Sequence, residues 1–363
     1  MPAKPPRILI VGAGPCGLTA ALELTRRGFA CRIVDKDPGP TPLSKAVGIS
    51  PRSLEILEPS GVTERLLAKG IRMKGVQACY EGKLLVALDV SKIPHRFNFL
   101  LSLPQSETEA VMEAVLDEAG VTVEWNVELT GVRPAGDRTE VDLTGPKGPS
   151  HSAFDIVFAA DGAHSRVRES LDLGFSGYSH KRLWSIADAV IPDWPFAEAT
   201  AMAVLHRTGD LGVIIPIGPK RFRTVSNTPD PLGLIPGTES AQVSQSDTFH
   251  IPVRQADRYQ EGGVFLGGDA AHVHSPIGAR GMNLGIEDAC SFAARLAGRT
   301  LDGYTAERRP IGHRWIVLSE RMLATVQAAN PVTIAVRNTV IRAIGRLPAV
   351  QRPLMERVAG LRE

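Results

Sequence analysis

Residues 7–35 read RILIVGAGPCGLTAALELTRRGFACRIVD, and the fold turns on how that stretch divides. Arg7-Ile8-Leu9-Ile10-Val11 is an apolar run with the look of a buried strand. Gly12 to Gly17 forms a G-x-G-x-x-G turn. Leu18 to Arg27 carries helix formers with Leu18, Ala21, Leu22 and Thr25 on one face, and Gly28 stands where a helix stops. Cys31-Arg32-Ile33-Val34-Asp35 is a second strand ending in an acid. The whole is a strand–helix–strand unit of the length a parallel crossover needs. In such a unit the first glycine permits the tight turn, the second lets a pyrophosphate reach the backbone, and the third lets helix and strand pack closely. The helix start supplies free N–H groups and the positive end of its dipole. Asp35 would accept from ribose hydroxyls and repel a 2′-phosphate, so the site is expected to hold FAD or NAD rather than NADP. Pro15 and Cys16 lie inside the turn and Lys36 follows the acid; the plainer reading of Cys16 is a small packing residue.

Further along, Ser50 caps a helix that starts at Pro51, and Glu107 to Glu118 forms another. Val121 to Val127 and Asp155 to Ala160 read as strands. Met73 to Leu101 and Trp184 to Asn227 hold further strand candidates, including Leu211 to Pro216 and Phe222 to Ser226, whereas Thr228 to Asp247 reads as loop. Two more acids close strands: Asp161 in Asp161-Gly162, and Asp269 in Gly267-Gly268-Asp269. From Asp269 a Pro/Gly loop, Pro276-Ile277-Gly278-Ala279-Arg280, opens into a helix from Asn283 to Leu296. A helix start in that position can place N–H groups against the N1–C2=O edge of a flavin, which carries negative charge when reduced. After Tyr304 the pattern is helical throughout. The expected architecture is α/β: a Rossmann-like FAD-binding domain, discontinuous in sequence (1–71, 103–175 and 255–330), a β-sheet-rich substrate domain (72–102 and 176–254) and C-terminal helices (331–363).

Composition narrows the partners. Of 363 residues, 43% are apolar and 22% charged, with a net charge of +2 and no basic block, which argues against nucleic acid. No apolar run spans a bilayer, and Met1 to Arg7 lacks the form of a signal peptide. Cys16, Cys31, Cys79 and Cys290 have neither metal-ligand nor disulfide spacing, so a cytoplasmic protein without a metal is expected. The tail from Val332 to Leu361 is basic and amphipathic (Arg337, Arg342, Arg346, Arg352); a solvated helix pair is preferred for it over a membrane-surface helix. A homo-oligomer is left open.

The three motifs, in this order, resemble the class A FAD-dependent aromatic monooxygenases, which share the para-hydroxybenzoate hydroxylase fold. The resemblance spans nearly the whole chain, including Ser44 to Leu57, Leu103 to Glu109 and Asp302 to Arg309. It implies that Gly12, Gly14, Gly17 and Asp35 hold the ADP half of FAD. Lys45 and Arg52 stand as cations on the FAD side, Gln105 lies close to the flavin chain, and Val127 touches adenine through its backbone. It also implies that Asp161 serves both FAD and NAD(P)H, and that Asp269 with the backbone of Gly281, Met282 and Asn283 grips the ribityl chain and ring. Pro276 shapes charge at the ring, and Arg221 loosely matches a flavin-facing arginine of the middle domain. The implied chemistry is reduction of FAD by NADH or NADPH, addition of O₂ as a flavin C4a-hydroperoxide, and hydroxylation of a phenolic or polycyclic substrate. Ala279-Arg280 departs from the usual Gly-Gly or Gly-Gln. The residues leave open an isoprenoid-quinone ring hydroxylase and a flavin-binding accessory protein without turnover.

Overall fold

The computed structural model describes residues 5–40 and 46–362. Its central element is a five-stranded sheet in the order Gln260–Glu261, Val264–Leu266, Ile156–Ala159, Ile8–Val11, Cys31–Val34. The last four run parallel. Their residues are almost all buried, as strands covered on both faces must be. Nine helices are seen among the described residues: α1 Pro15–Thr25, α2 Pro51–Leu57, α3 Val62–Lys69, α4 Gln105–Glu118, α5 Arg166–Ser170, α6 Gly281–Gly298, α7 Tyr304–Val326, α8 Pro331–Arg346 and α9 Pro348–Val358. Helices α1 and α6 pack on each other and on the sheet, where Phe158 stacks on Phe292 at 4.4 Å between centroids. Ser50 caps α2 by accepting from the Ser53 N–H, and Ser165 caps α5 through Arg168 N–H.

A seven-stranded sheet lies apart from the first. Its order is Gln242–Phe249, Trp184–Val190, Arg221–Ser226, Leu211–Gly218, Thr200–Leu205, Gly75–Tyr80, Lys83–Asp89. It is antiparallel except where Thr200–Leu205 meets Gly75–Tyr80. Helix α8 packs on its edge strand Lys83–Asp89.

Two expectations need correcting. Val121 to Val127 is not a strand. It runs beside Cys31–Val34 with one bridge, Val34 to Glu124, and Asn126 in the left-handed region (φ 58°) breaks the ladder there. The stretch from Thr228 to Asp247 is not loop throughout. Its last part enters strand Gln242–Phe249, whose mostly exposed, polar side chains gave no alternation to read. No helix among the described residues is long and apolar enough to cross a membrane.

Candidate functional site

The glycine turn, Asp35, Asp161 and the Gly267–Asp269 segment follow four adjacent parallel strands at their carboxyl ends. That end of an open α/β sheet is where ligands bind. The sequence separates these segments by as much as 250 residues, yet three of them touch. Gly12 adopts φ 101°, and a Cβ there would run into the Ala160 carbonyl and the Asp161 N–H. A Cβ on Gly17 would strike the Gly12 carbonyl. Cys16 packs its sulfur against the positions of Gly267 and Gly268, with Gly285 of α6 alongside. Its thiol is buried and its pKa is driven well up by that burial, so the side chain is packing and only its backbone belongs to the turn.

Gly14 differs from its neighbours. A Cβ there would meet only Glu109 Oε1, at 4.0 Å, so the space above it is open. Pro15 occupies the first position of α1, and the N–H groups of that first turn have no intrahelical partner. Open space beside free N–H groups is what a pyrophosphate needs from a turn of this kind. The carboxylate of Asp35 lies against the turn, accepting from Ala13 N–H at 2.6 Å and from Asp37 N–H at 2.9 Å. Val127 N–H donates to the Asp35 carbonyl at 2.8 Å, which sets its backbone beside the same corner. Lys36 is exposed one residue on. Lys45 lies outside the described residues. Arg52 is half-exposed and paired with Glu55 at 3.0 Å.

Asp161 is held by Val167 N–H at 3.1 Å through Oδ2, while Oδ1 is buried without a partner. Burial raises its pKa. A buried acceptor left open beside a glycine turn fits a ligand that donates. Gln105 opens α4, with its Nε2 donating to Glu109 Oε1 at 2.8 Å and its N–H to the Ala46 carbonyl. Asp269 and Pro276 are exposed. The Gly281, Met282 and Asn283 backbone forms the first turn of α6, and a Cβ on Gly281 would meet nothing. Asn283 uses its whole side chain to fasten α6. It accepts from Ser50 N–H (2.8 Å) and Ser53 Oγ (2.7 Å) and donates to the Gly48 and Ala279 carbonyls (both 2.9 Å).

Arg221 stands exposed with Nη1 4.0 Å from Glu107. The strand turns Arg223 inward instead, bidentate to Asp188 at 2.7 and 2.8 Å and reaching the Ala46 carbonyl at 3.3 Å. The two are directly opposed across the ladder, a pairing that a one-chain pattern does not reveal. Arg280 is also buried. It pairs with Glu287 at 2.5 Å, lies over the Trp315 ring at 4.9 Å, and sits where a Cβ on Gly360 would collide with it. Ala359 at the end of α9 accepts from Arg52 N–H at 3.3 Å, so the last helix closes over the loop before α6.

The sequence reading missed Asp288. It is fully buried in α6 and accepts from Gly268 N–H (3.0 Å), His272 Nε2 (2.7 Å) and Arg308 Nε (2.6 Å). Burial by itself would raise its pKa, but Arg308 and His272 outweigh that and hold it low. The cluster pins both ends of the segment from Gly268 to His272. His274 is buried with Nδ1 bonded to the Ser275 carbonyl and Nε2 unpartnered; burial pushes its pKa down to about 4. No group of His, Cys, Asp and Glu among the described residues could hold a metal ion.

The geometry agrees with what the chain is similar to. Residues 6–230 and 235–319 match the family described as FAD binding domain. The 6-methylpretetramide 4-monooxygenase of Streptomyces rimosus is 31% identical over 98% of this chain and 68% of its own length. The pentachlorophenol 4-monooxygenase of Sphingobium chlorophenolicum is 30% identical over 85% of this chain, which spans 62% of that relative. The crystal structure of p-nitrophenol 4-monooxygenase PnpA from Pseudomonas putida DLL-E4 superposes with a TM-score of 0.89 over 98% of both chains, at 20% identity. With the family model matching most of the chain and a monooxygenase 31% identical over nearly all of it, the chain belongs to the family of FAD-dependent aromatic monooxygenases.

Proposed function

We propose that this chain hydroxylates an electron-rich aromatic ring, phenolic or polycyclic, with O₂ as oxidant and NADH or NADPH as transient reductant. The observation that carries this is the meeting of Gly12, Cys16, Asp161 and Gly268 at one end of the parallel strands, beside open space above Gly14. FAD, when bound, supplies the oxygen activation; the chain's residues bind, orient and exclude water. In this reading the turn from Gly12 to Gly17 takes the diphosphate, and Asp35 takes the ribose of the ADP half. Asp269 and Gln105 hold the chain between them and the ring, and the first turn of α6 (Gly281, Met282, Asn283) faces the N1–C2=O edge. Asp161, with an open buried oxygen, accepts from cofactor or reductant. The seven-stranded sheet offers two cations on this side, Arg221 near Glu107 at the start of α4 and Arg223 held by Asp188 and reaching the Ala46 carbonyl, and Pro276 shapes the loop beside the ring. The substrate region is 72–102 with 176–254, and the cofactor region is 1–71, 103–175 and 255–330. The relatives' names support monooxygenation of polycyclic and phenolic rings, and they favour neither a quinone hydroxylase nor a non-catalytic flavoprotein. The reaction is placed in the cytoplasm.

The test is stopped-flow absorbance of the flavin band after mixing the purified yellow protein with NADH or NADPH, with and without a panel of phenols and polycyclic quinones. One aromatic should speed reduction sharply, and its hydroxylated product should form in air. Reduction by neither nicotinamide, with every aromatic, overturns the hydroxylase reading; a protein that fails to take up FAD overturns the cofactor assignment as well.

A further inference from the structure

Glu109 has an unusual place for a carboxylate. It is 4% exposed, on the second turn of α4, with Oε1 4.0 Å from where a Cβ on Gly14 would stand. That is the face of Gly14 left open for a pyrophosphate. The site therefore asks for two negative phosphates beside a side chain that is itself an anion when ionised. Among the described residues no cation pairs with Glu109. Gln105 donates to Oε1 but carries no charge. Asp35, at the end of strand Cys31–Val34, and Glu113, one turn further along α4, both add negative charge. From α1 it meets Gly14, while the charged residues of that helix, Glu23, Arg26 and Arg27, pair among themselves. On α3, Arg65 is taken by Glu118.

We propose that Glu109 carries a proton whenever the cofactor is bound, so that FAD binding takes up one proton from solvent onto the Glu109 carboxyl group. This rests on the FAD assignment made above. A neutral carboxyl keeps the hydrogen bond from Gln105 and removes the repulsion from the diphosphate. The free protein is already prepared for it: burial, then Asp35 and Glu113, push the Glu109 pKa up to about 7. A nearby diphosphate raises it further. The sign follows. The loaded state binds the extra proton, so affinity is full at low pH and is lost as pH rises past the pKa of the free protein.

The experiment is FAD titration of the apoprotein, followed by quenching of flavin fluorescence, from pH 6 to pH 9. The Kd of the parent should rise by about tenfold per pH unit at the alkaline end, the slope of one linked proton. Glu109→Gln should bind FAD with a Kd that changes less than twofold across the range. Calorimetric titration of the parent near pH 8 in phosphate and in Tris, whose ionisation enthalpies differ, should give close to one proton taken up, a measurement that needs no variant. A flat parent curve with no net proton uptake overturns the inference and leaves the FAD assignment standing. Failure to bind FAD at any pH overturns both.

Discussion

Neutralising Asp288 is the sharpest test of how the loop before α6 is held. Asp288→Asn keeps the shape of the side chain but leaves the Arg308 guanidinium buried beside an amide, and it turns one of three acceptor contacts into a donor facing a donor. Breaking one side of a buried ion pair costs about 3–5 kcal/mol. For a chain of 363 residues, unfolding entropy near 2.1 cal/mol/K per residue makes this a fall in melting temperature of about 4–7 °C. Differential scanning calorimetry at pH 7 measures it. The companion variant Arg308→Met removes the buried charge, whose remaining partner in Asp288→Asn is Glu287 at 3.7 Å, so the double variant should lose less than the two single losses added together, by about 1 kcal/mol or more. A single variant melting within about 1 °C of the parent, or strictly additive losses, would refute the view that this cluster pins the segment from Gly268 to His272.

Gly14→Ala has room for its methyl group, so it should fold normally while its FAD affinity, read by flavin fluorescence, falls by about tenfold or more. Ala279 is held at φ 51°, where an L side chain is strained, so Ala279→Gly should raise stability in urea unfolding by about 1 kcal/mol. His274 has its folded pKa pushed down to about 4 from an ordinary 6.5. Stability is therefore full above pH 6.5 and falls by about 3 kcal/mol as the pH drops toward 4, because only the unfolded chain takes up the proton. His274→Phe should flatten that part of the urea-midpoint curve; an unchanged curve would count against a buried neutral imidazole.

What the sequence revealed and what it hid have physical causes. The parallel sheet was legible because Ile8–Val11 and Ile156–Ala159 are continuous apolar runs, each followed by a glycine or an acid that ends it. The cap Ser50 was legible because an N-cap acts within three residues. Strand Gln242–Phe249 was not, since an edge strand with both faces wet needs no alternation. Arg223 was hidden behind Arg221: two arginines two residues apart share a face, and only the cross-strand partner Asp188, opposite Arg223, marks which of them is buried. Asp288 looked like any polar residue of a helix. Its meaning comes from Gly268, His272 and Arg308, which only folding brings to it. Lys45, expected on the FAD side, lies outside the described residues.

The closure of α9 over the loop before α6 has a thermodynamic corollary. Met355 and Ala359 bury themselves against Val90 and Ile93, while the last turn of the same helix meets Arg280 and Arg52. Docking of this helix and ordering of the cofactor loop are then linked equilibria, and linkage is reciprocal: whatever factor the docked helix adds to FAD affinity, FAD must add to the docking. Trypsin can read that exchange at Arg357, which is exposed on α9 and becomes a good substrate only when the helix lifts. Saturating FAD should slow cleavage there, making the far end of the chain a gauge of cofactor occupancy.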